Sequence, residues 1–285
     1  MVGKSDAGKA RGMGGHGHRR DGHLRGRAPR GVGVNMEIFL HEMVPTTSRI
    51  LPAECAIAIC VANKVTVGII GCGNISGAYF SGCAAYDWLE VVACADLDPA
   101  RAKAKADEFK VPKTCSPDEL LRDPDVQIVV NLTIPKAHAE INLAALEAGK
   151  HAHCEKPFAL TRADGARVLE AARTKGLRAG CAPDTFLGAG GQTARGLLDA
   201  GAIGRPVAGT AFWAGHGHES WHPDPEFYYK QGGGPMLDMG PYYVTALVNL
   251  LGPVKRVAGL TAKSFPERDI TSDPKRLRRV TVETS

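Results

Sequence analysis

An α/β fold on a doubly wound parallel sheet is predicted by three observations. Val65–Ile70 is a short apolar run rich in β-branched residues, which suits a strand buried on both faces, and it ends in Gly71-Cys72-Gly73-Asn74-Ile75-Ser76. A second strand-like run, 88–95, ends in Asp96, 23 residues beyond Gly73. From Lys64 to Asp184 strand and helix signals then alternate without interruption, the pattern of parallel strands joined by crossover helices.

The elements follow in order. A helix is expected over 74–85, its free N–H groups and positive dipole end facing the glycine turn. Pro99–Phe109 reads as a helix with proline in its first turn. Ser116-Pro117-Asp118-Glu119 is a capping box, so a short helix starts there. A buried strand is expected over 126–132, a helix over 138–148 closed by Gly149, and a strand over His151–Cys154. A helix over 161–175 carries Asp164 near its start and Gly176 past its end, and 177–181 returns to the sheet.

Beyond Asp184 the pattern changes to an α+β arrangement. A helix is expected over 192–200 and another over 239–251; strands are expected over 206–214, near 254–264 and over 278–284. Strands without a helix between each pair suggest an open, mostly antiparallel sheet. The domain boundaries that result are an N-terminal extension over 1–62, partly disordered, a nucleotide-binding domain over 63–184 and a second domain over 185–285.

Composition narrows the function classes. With 285 residues, 44% hydrophobic and 23% charged, the chain is long enough for two domains of ordinary globular composition. The net charge of +5 comes from the first 35 residues, which hold eight Lys and Arg against two Asp; 27 bases and 28 acids remain for the rest. No basic face for nucleic acid is therefore expected on the folded part. The Gly-, Arg- and His-rich start, with His16, His18 and His23, has no apolar periodicity and reads as an accessory extension. No apolar run reaches the length of a membrane helix. The eight cysteines are scattered without a C-x-x-C pair and read as buried thiols of a reducing compartment, the cytoplasm.

The chemistry begins at the glycine turn. Gly71 permits the bend, Gly73 lets a pyrophosphate approach the backbone, and Ser76 stands at the third position of this Rossmann-type turn, with Asn74 and Ile75 between. Asp96, followed by Leu97, can accept hydrogen bonds from the adenosine ribose hydroxyls and repels a 2'-phosphate, which favours NAD over NADP. The alternative is a nucleotide-free α/β domain in which Asp96 merely caps the helix from Pro99. Thr133, Ile134 and Pro135, with His138, lie at a strand end where a bound dinucleotide would pass, and Glu155-Lys156-Pro157 lies at the next one.

Together with Gly232-Gly233-Gly234-Pro235-Met236-Leu237-Asp238-Met239-Gly240, these segments resemble the glucose-fructose oxidoreductase, inositol dehydrogenase and MocA (Gfo/Idh/MocA) family of nicotinamide-dependent oxidoreductases. The resemblance runs from about Lys64 to Ser285. It implies hydride transfer between NAD and a secondary alcohol of a sugar, inositol or related cyclic polyol, and a second domain that carries the substrate and commonly a homo-oligomer contact. The chain stops within the implied sheet, so that domain is expected to be truncated. Two other readings stay open: redox-assisted glycoside cleavage or sugar-to-sugar hydride transfer on tightly held NAD, and an inactive fragment or NAD-binding sensor.

The resemblance also implies that Lys156 sits between the nicotinamide and the reacting hydroxyl, where an ammonium polarises the oxygen. It implies that Asp238 and the residue four places on point at the substrate; the family usually has histidine there, and this chain has Tyr242. On one helix face the two would lie together, and a nearby ammonium would favour the Tyr242 phenolate as proton acceptor, with Asp238 or His222 as alternatives. His218, Glu219, Trp221 and His222 read as a polyol-binding loop or as a packed loop, with a metal site the weaker option for His216, His218 and His222. Asp184, at the end of the last parallel strand, is a further candidate for a substrate hydroxyl or a helix cap.

Overall fold

The computed structural model describes residues 64–273 and 278–283. The expectations for 1–62, including the histidine tract, lie outside them.

Six strands form one parallel sheet: β1 (Val65–Ile70), β2 (Leu89–Ala95), β3 (Lys113–Cys115), β4 (Ile128–Asn131), β5 (His151–Cys154) and β6 (Ala179–Cys181). Their spatial order is β3-β2-β1-β4-β5-β6, so the order reverses at β1 and a crevice opens between the carboxyl ends of β1 and β4. The crossovers are α1 (Ser76–Ala84), α2 (Pro99–Phe109), α3 (Pro117–Arg122), α4 (His138–Glu147) and α5 (Arg162–Lys175). β3 is the one strand here that the sequence does not announce; Lys-Thr-Cys is too short and polar for a strand signal, and β2 recruits it as a sheet edge.

Local chemistry sets the boundaries. Asp98 accepts from Ala100 N at 3.0 Å and so caps α2, whose first turn begins with Pro99. Ser116 and Glu119 exchange side-chain and backbone bonds in a complete capping box at α3. Thr161 caps α5 through Asp164 N at 3.1 Å, and Gly176 ends it in the left-handed conformation. One apolar layer joins Val67, Ile69, Val130, Tyr79 and Phe80 on one face of the sheet. Ile70, Val129, Leu120, Leu146 and Val168 form the layer on the other. Burial on both faces explains why these strands read as unbroken apolar runs.

The second part holds α6 (Ala189–Asp199), α7 (Glu226–Tyr229), α8 (Pro235–Asp238), α9 (Gly240–Leu251), β7 (Glu267–Ile270) and β8 (Arg278–Thr281). β7 and β8 pair antiparallel, with Asp269 opposite Arg279 and their side chains bonded at 2.6 Å. Three expectations are corrected here. Segments 206–214 and 254–264 are not strands; alternation makes a strand only where a neighbour takes the backbone hydrogen bonds, and Val207, Phe212, Val257 and Leu260 stand exposed instead. β7 went unpredicted because Glu-Arg-Asp-Ile has the composition of a loop. The helix expected over 239–251 is preceded by a separate turn of helix, α8, because Pro241 has no N–H to continue the ladder across Met239.

Among the described residues no helix is long and apolar enough to cross a membrane.

Candidate active site

The glycine turn is shaped by contact on one side and space on the other. Gly71 has φ +100°, and a Cβ there would lie 2.6 Å from the carbonyl carbon and oxygen of Leu132. At Gly73 a Cβ would meet nothing within 4 Å among the described residues, which leaves this side of the turn open to whatever binds over it. Asp96 closes the turn from β2: its two carboxylate oxygens accept from Cys72 N at 2.7 Å and Asp98 N at 2.9 Å. Each oxygen has a second lone pair, so the carboxylate can still accept from a ligand. Asp96 is thus not the cap of α2; Asp98 has that part.

Ile75, Leu97 and Ile134 are apolar yet exposed, Leu97 almost fully, at the carboxyl ends of β1, β2 and β4. Asn74 is exposed beside them, and Pro135 opens a single 3₁₀ turn, Pro135–Ala137. Thr133 is fixed by Asn131, whose Oδ1 accepts from Thr133 N at 3.2 Å and from its hydroxyl at 2.7 Å.

Two residues expected at the cofactor are internal instead. Ser76 is fully buried, its hydroxyl and N–H both donating to Gly73 O, so it braces the turn from beneath. His138 is buried with Nδ1 2.6 Å from Pro157 O and Nε2 3.0 Å from Thr133 O, so both ring nitrogens face carbonyls of the fold.

At the end of β5, Glu155 is held by Tyr79 of α1, whose hydroxyl donates to Oε1 at 2.8 Å, and by Lys156 N at 3.0 Å. Tyr79 is a residue that sequence reasoning missed; its buried helix position signals packing, and only the fold puts its polar tip on Glu155. The next peptide bond, Lys156-Pro157, is cis. Lys156 Nζ donates to Asp238 Oδ1 at 2.5 Å, with both side chains about one-sixth exposed. Asp238 ends α8 and Tyr242 lies in the first turn of α9, its ring centroid 5.5 Å from Lys156 Nζ.

Tyr242 therefore lies beside the ammonium as expected, but its electrostatics run against a phenolate. Burial pushes its hydroxyl well above the ordinary phenol range, and the carboxylates of Glu155, Asp184 and Asp238 add to the shift. Burial likewise raises the Asp184 carboxyl, which makes no capping bond to the 3₁₀ turn Thr185–Leu187 that follows it.

The histidine loop separates into parts. His218 is buried, its Nε2 3.3 Å from Asp238 Oδ2 and its ring stacked on Tyr228 at 3.9 Å. Glu219 is not free for a ligand: Tyr229 and Arg268 both donate to its carboxylate. His222 accepts from Asp224 N at 3.0 Å, and Trp221 is largely exposed beside His218. Tyr228, Tyr229 and Arg268 were not legible as site residues, because nothing in Glu-Phe-Tyr-Tyr or in β7 points to the loop they hold. Among the described residues no three His, Cys, Asp or Glu side chains gather around a common point as a metal ion would require.

Residues 65–182 match the family model described as "Oxidoreductase family, NAD-binding Rossmann fold", and residues 192–284 match the one described as "GFO/IDH/MocA C-terminal domain". The chain belongs to the Gfo/Idh/MocA family. It is 36% identical over 148 residues to a 1,5-anhydro-D-fructose reductase of Ensifer adhaerens, covering 52% of this chain and 44% of that protein. It is 34% identical over 146 residues to an inositol 2-dehydrogenase of Salmonella paratyphi B, covering 49% and 43%. The crystal structure of an NAD binding oxidoreductase from Klebsiella pneumoniae has the same fold, with a TM-score of 0.67 at 23% identity over 78% of this chain and 61% of that one. The matched segments thus span less than half the length of those two curated relatives.

For a Gfo/Idh/MocA protein the residues present fit a dinucleotide. Gly73 leaves its approach open, the Asp96 carboxylate has spare acceptor capacity at the end of β2, and Leu97 and Ile134 offer apolar surface on either side of the crevice.

Proposed function

We propose that the chain is an NAD-dependent oxidoreductase acting on a secondary alcohol of a cyclic polyol or sugar, with residues 63–184 holding the nucleotide and residues 185–285 contributing the substrate side. The observation that carries the reading is the Lys156–Asp238 contact of 2.5 Å, which joins a lysine at the carboxyl end of β5 to an acid from the second part of the chain. The names of the two relatives, one acting on an anhydro-sugar and one on inositol, support the substrate class. A cytoplasmic location and a homo-oligomer held through the second domain belong to the same proposal.

NAD, when bound, supplies the hydride acceptor. Asp96 would hold the ribose hydroxyls and discriminate against a 2'-phosphate, and the glycine turn would hold the pyrophosphate. Lys156, oriented by Asp238 and by the Glu155 braced on Tyr79, donates a hydrogen bond to the alcohol oxygen and stabilises the charge that develops there as its proton leaves. Tyr242 keeps its proton and acts as a wall and hydrogen-bond donor; the alcohol proton goes to the Asp238 carboxylate, the member of the Lys156–Asp238 pair with lone pairs to accept it. Trp221 offers an apolar face to ring C–H groups, and His222 and Asp184 offer polar atoms to the remaining hydroxyls.

The test is reduction of NAD by the purified chain with a panel of inositols and pyranoses, and oxidation of NADH with 1,5-anhydro-D-fructose. Lys156→Met should lower turnover by about 10³-fold or more while leaving NADH affinity within a few-fold, and Tyr242→Phe should cost less than about tenfold. NADH binding with no turnover of any alcohol, or a Lys156→Met variant as active as the parent, would contradict the reading.

A further inference from the structure

We propose that His218 is a positioning residue for the Lys156–Asp238 pair, fixing the second carboxylate oxygen of Asp238 so that the first stays on Lys156. The proposal rests on the oxidoreductase reading above and carries it to a third side chain, one that neither the glycine turn nor the Glu155-Lys156-Pro157 segment announces.

Oδ1 of Asp238 accepts from Lys156 Nζ at 2.5 Å, and its Oδ2 lies 3.3 Å from His218 Nε2. An ionised carboxylate only accepts, so the proton of a neutral His218 sits on Nε2 and Nδ1 holds a lone pair. Nδ1 is buried and has no hydrogen-bond partner among the described residues. The ring cannot readily turn away: it is stacked on Tyr228 at 3.9 Å and 19°, Trp221 lies 4.7 Å from it, and His218 N donates to the Tyr229 hydroxyl at 3.1 Å.

The charged and titratable groups facing the imidazole are Asp238 of α8, Lys156 beyond β5, and Glu219 and His222 of its own loop, with Tyr228 of α7 beneath it. Burial dominates and, with His222 and Lys156, draws the imidazole below its ordinary 6.5, against the pull of Asp238 and Glu219. His218 is therefore neutral at neutral pH. When the medium is acid enough to put a proton on Nδ1, a second full cation shares Asp238 with the Lys156 ammonium, and the grip of Oδ1 on Lys156 weakens. The consequence is a loss of activity on the acid side that belongs to His218.

The test begins on the full chain without cofactor, by ¹⁵N NMR of labelled histidines, with the His218 signal assigned by its absence from His218→Gln. The expected result is the Nε2–H tautomer above the titration, a midpoint below 6.5, a further fall in Asp238→Asn and a rise in Lys156→Met. The second arm is kcat/KM for NAD reduction with myo-inositol between about pH 5 and 8. The parent should fall about tenfold per unit below the His218 midpoint, whereas His218→Gln, which keeps an N–H donor but cannot titrate, should stay within about threefold of its neutral-pH value. His218→Phe should lose activity at every pH. An Nδ1–H tautomer, a midpoint unmoved by Asp238→Asn, or an unchanged acid limb in His218→Gln would overturn the proposal. Absence of any turnover would count against the oxidoreductase reading alone, since the NMR arm still decides the tautomer and its coupling to Asp238.

Discussion

The nucleotide half and the second half of the chain handle apolar residues in opposite ways. Val67, Ile69, Cys94, Val129 and Val130 are fully buried in the parallel sheet, whereas Val207, Phe212, Val257 and Leu260 are exposed. In the first half each strand is followed by its own crossover helix, so the partners that bury an apolar run lie close by in sequence. In the second half the small sheet of β7 and β8 is anchored by ion pairs and by a cluster of Tyr228, Tyr229, Ile270, Val280 and Val282. Periodicity is therefore a good guide to structure in one half, the short edge strand β3 apart, and an insufficient one in the other.

A pair of phenylalanine truncations sharpens that contrast most strongly. Phe80, buried and stacked on Phe109 at 4.9 Å, should cost about 3–5 kcal/mol as Phe80→Ala, read from urea unfolding. Phe212→Ala, at an exposed position, should change stability by no more than about 0.5 kcal/mol. A large loss at Phe212 would mean that segment 206–214 is covered in solution.

Within the glycine turn the contrast is between folding and binding. Gly71→Ala should cost about 2–4 kcal/mol, because the new Cβ meets the Leu132 backbone at a positive φ. Gly73→Ala should leave stability within about 1 kcal/mol, since no atom of the described residues opposes its Cβ, yet weaken NADH about tenfold or more by filling the approach to the backbone. Equal effects of the two substitutions on unfolding would remove the distinction.

How far the sequence could be read follows from the same physics. The capping residues Ser116, Glu119 and Gly176, and the strands β1 and β5, were legible because each signal is local. Lys156, Asp238 and Tyr242 could be named from their motifs, but their juxtaposition depends on contacts 82 residues apart in the chain. The break between α8 and α9 at Pro241 was available in principle from proline's missing N–H. The internal roles of Ser76 and His138 were not, because a hydroxyl or imidazole at a helix start beyond a strand reads the same whether it faces a ligand or a carbonyl of the fold. The bond from Tyr79 to Glu155 and the contact of His218 with Asp238 leave no trace in either local sequence.

The most direct measurement is a fluorescence titration of the full chain with NADH and with NADPH, beside an Asp96→Ala variant. The account predicts that NADH binds more tightly than NADPH, and that the variant loses about tenfold or more of its NADH affinity together with most of that preference. A parent chain that prefers NADPH or binds neither, or a variant that binds NADH as well as the parent, would contradict it.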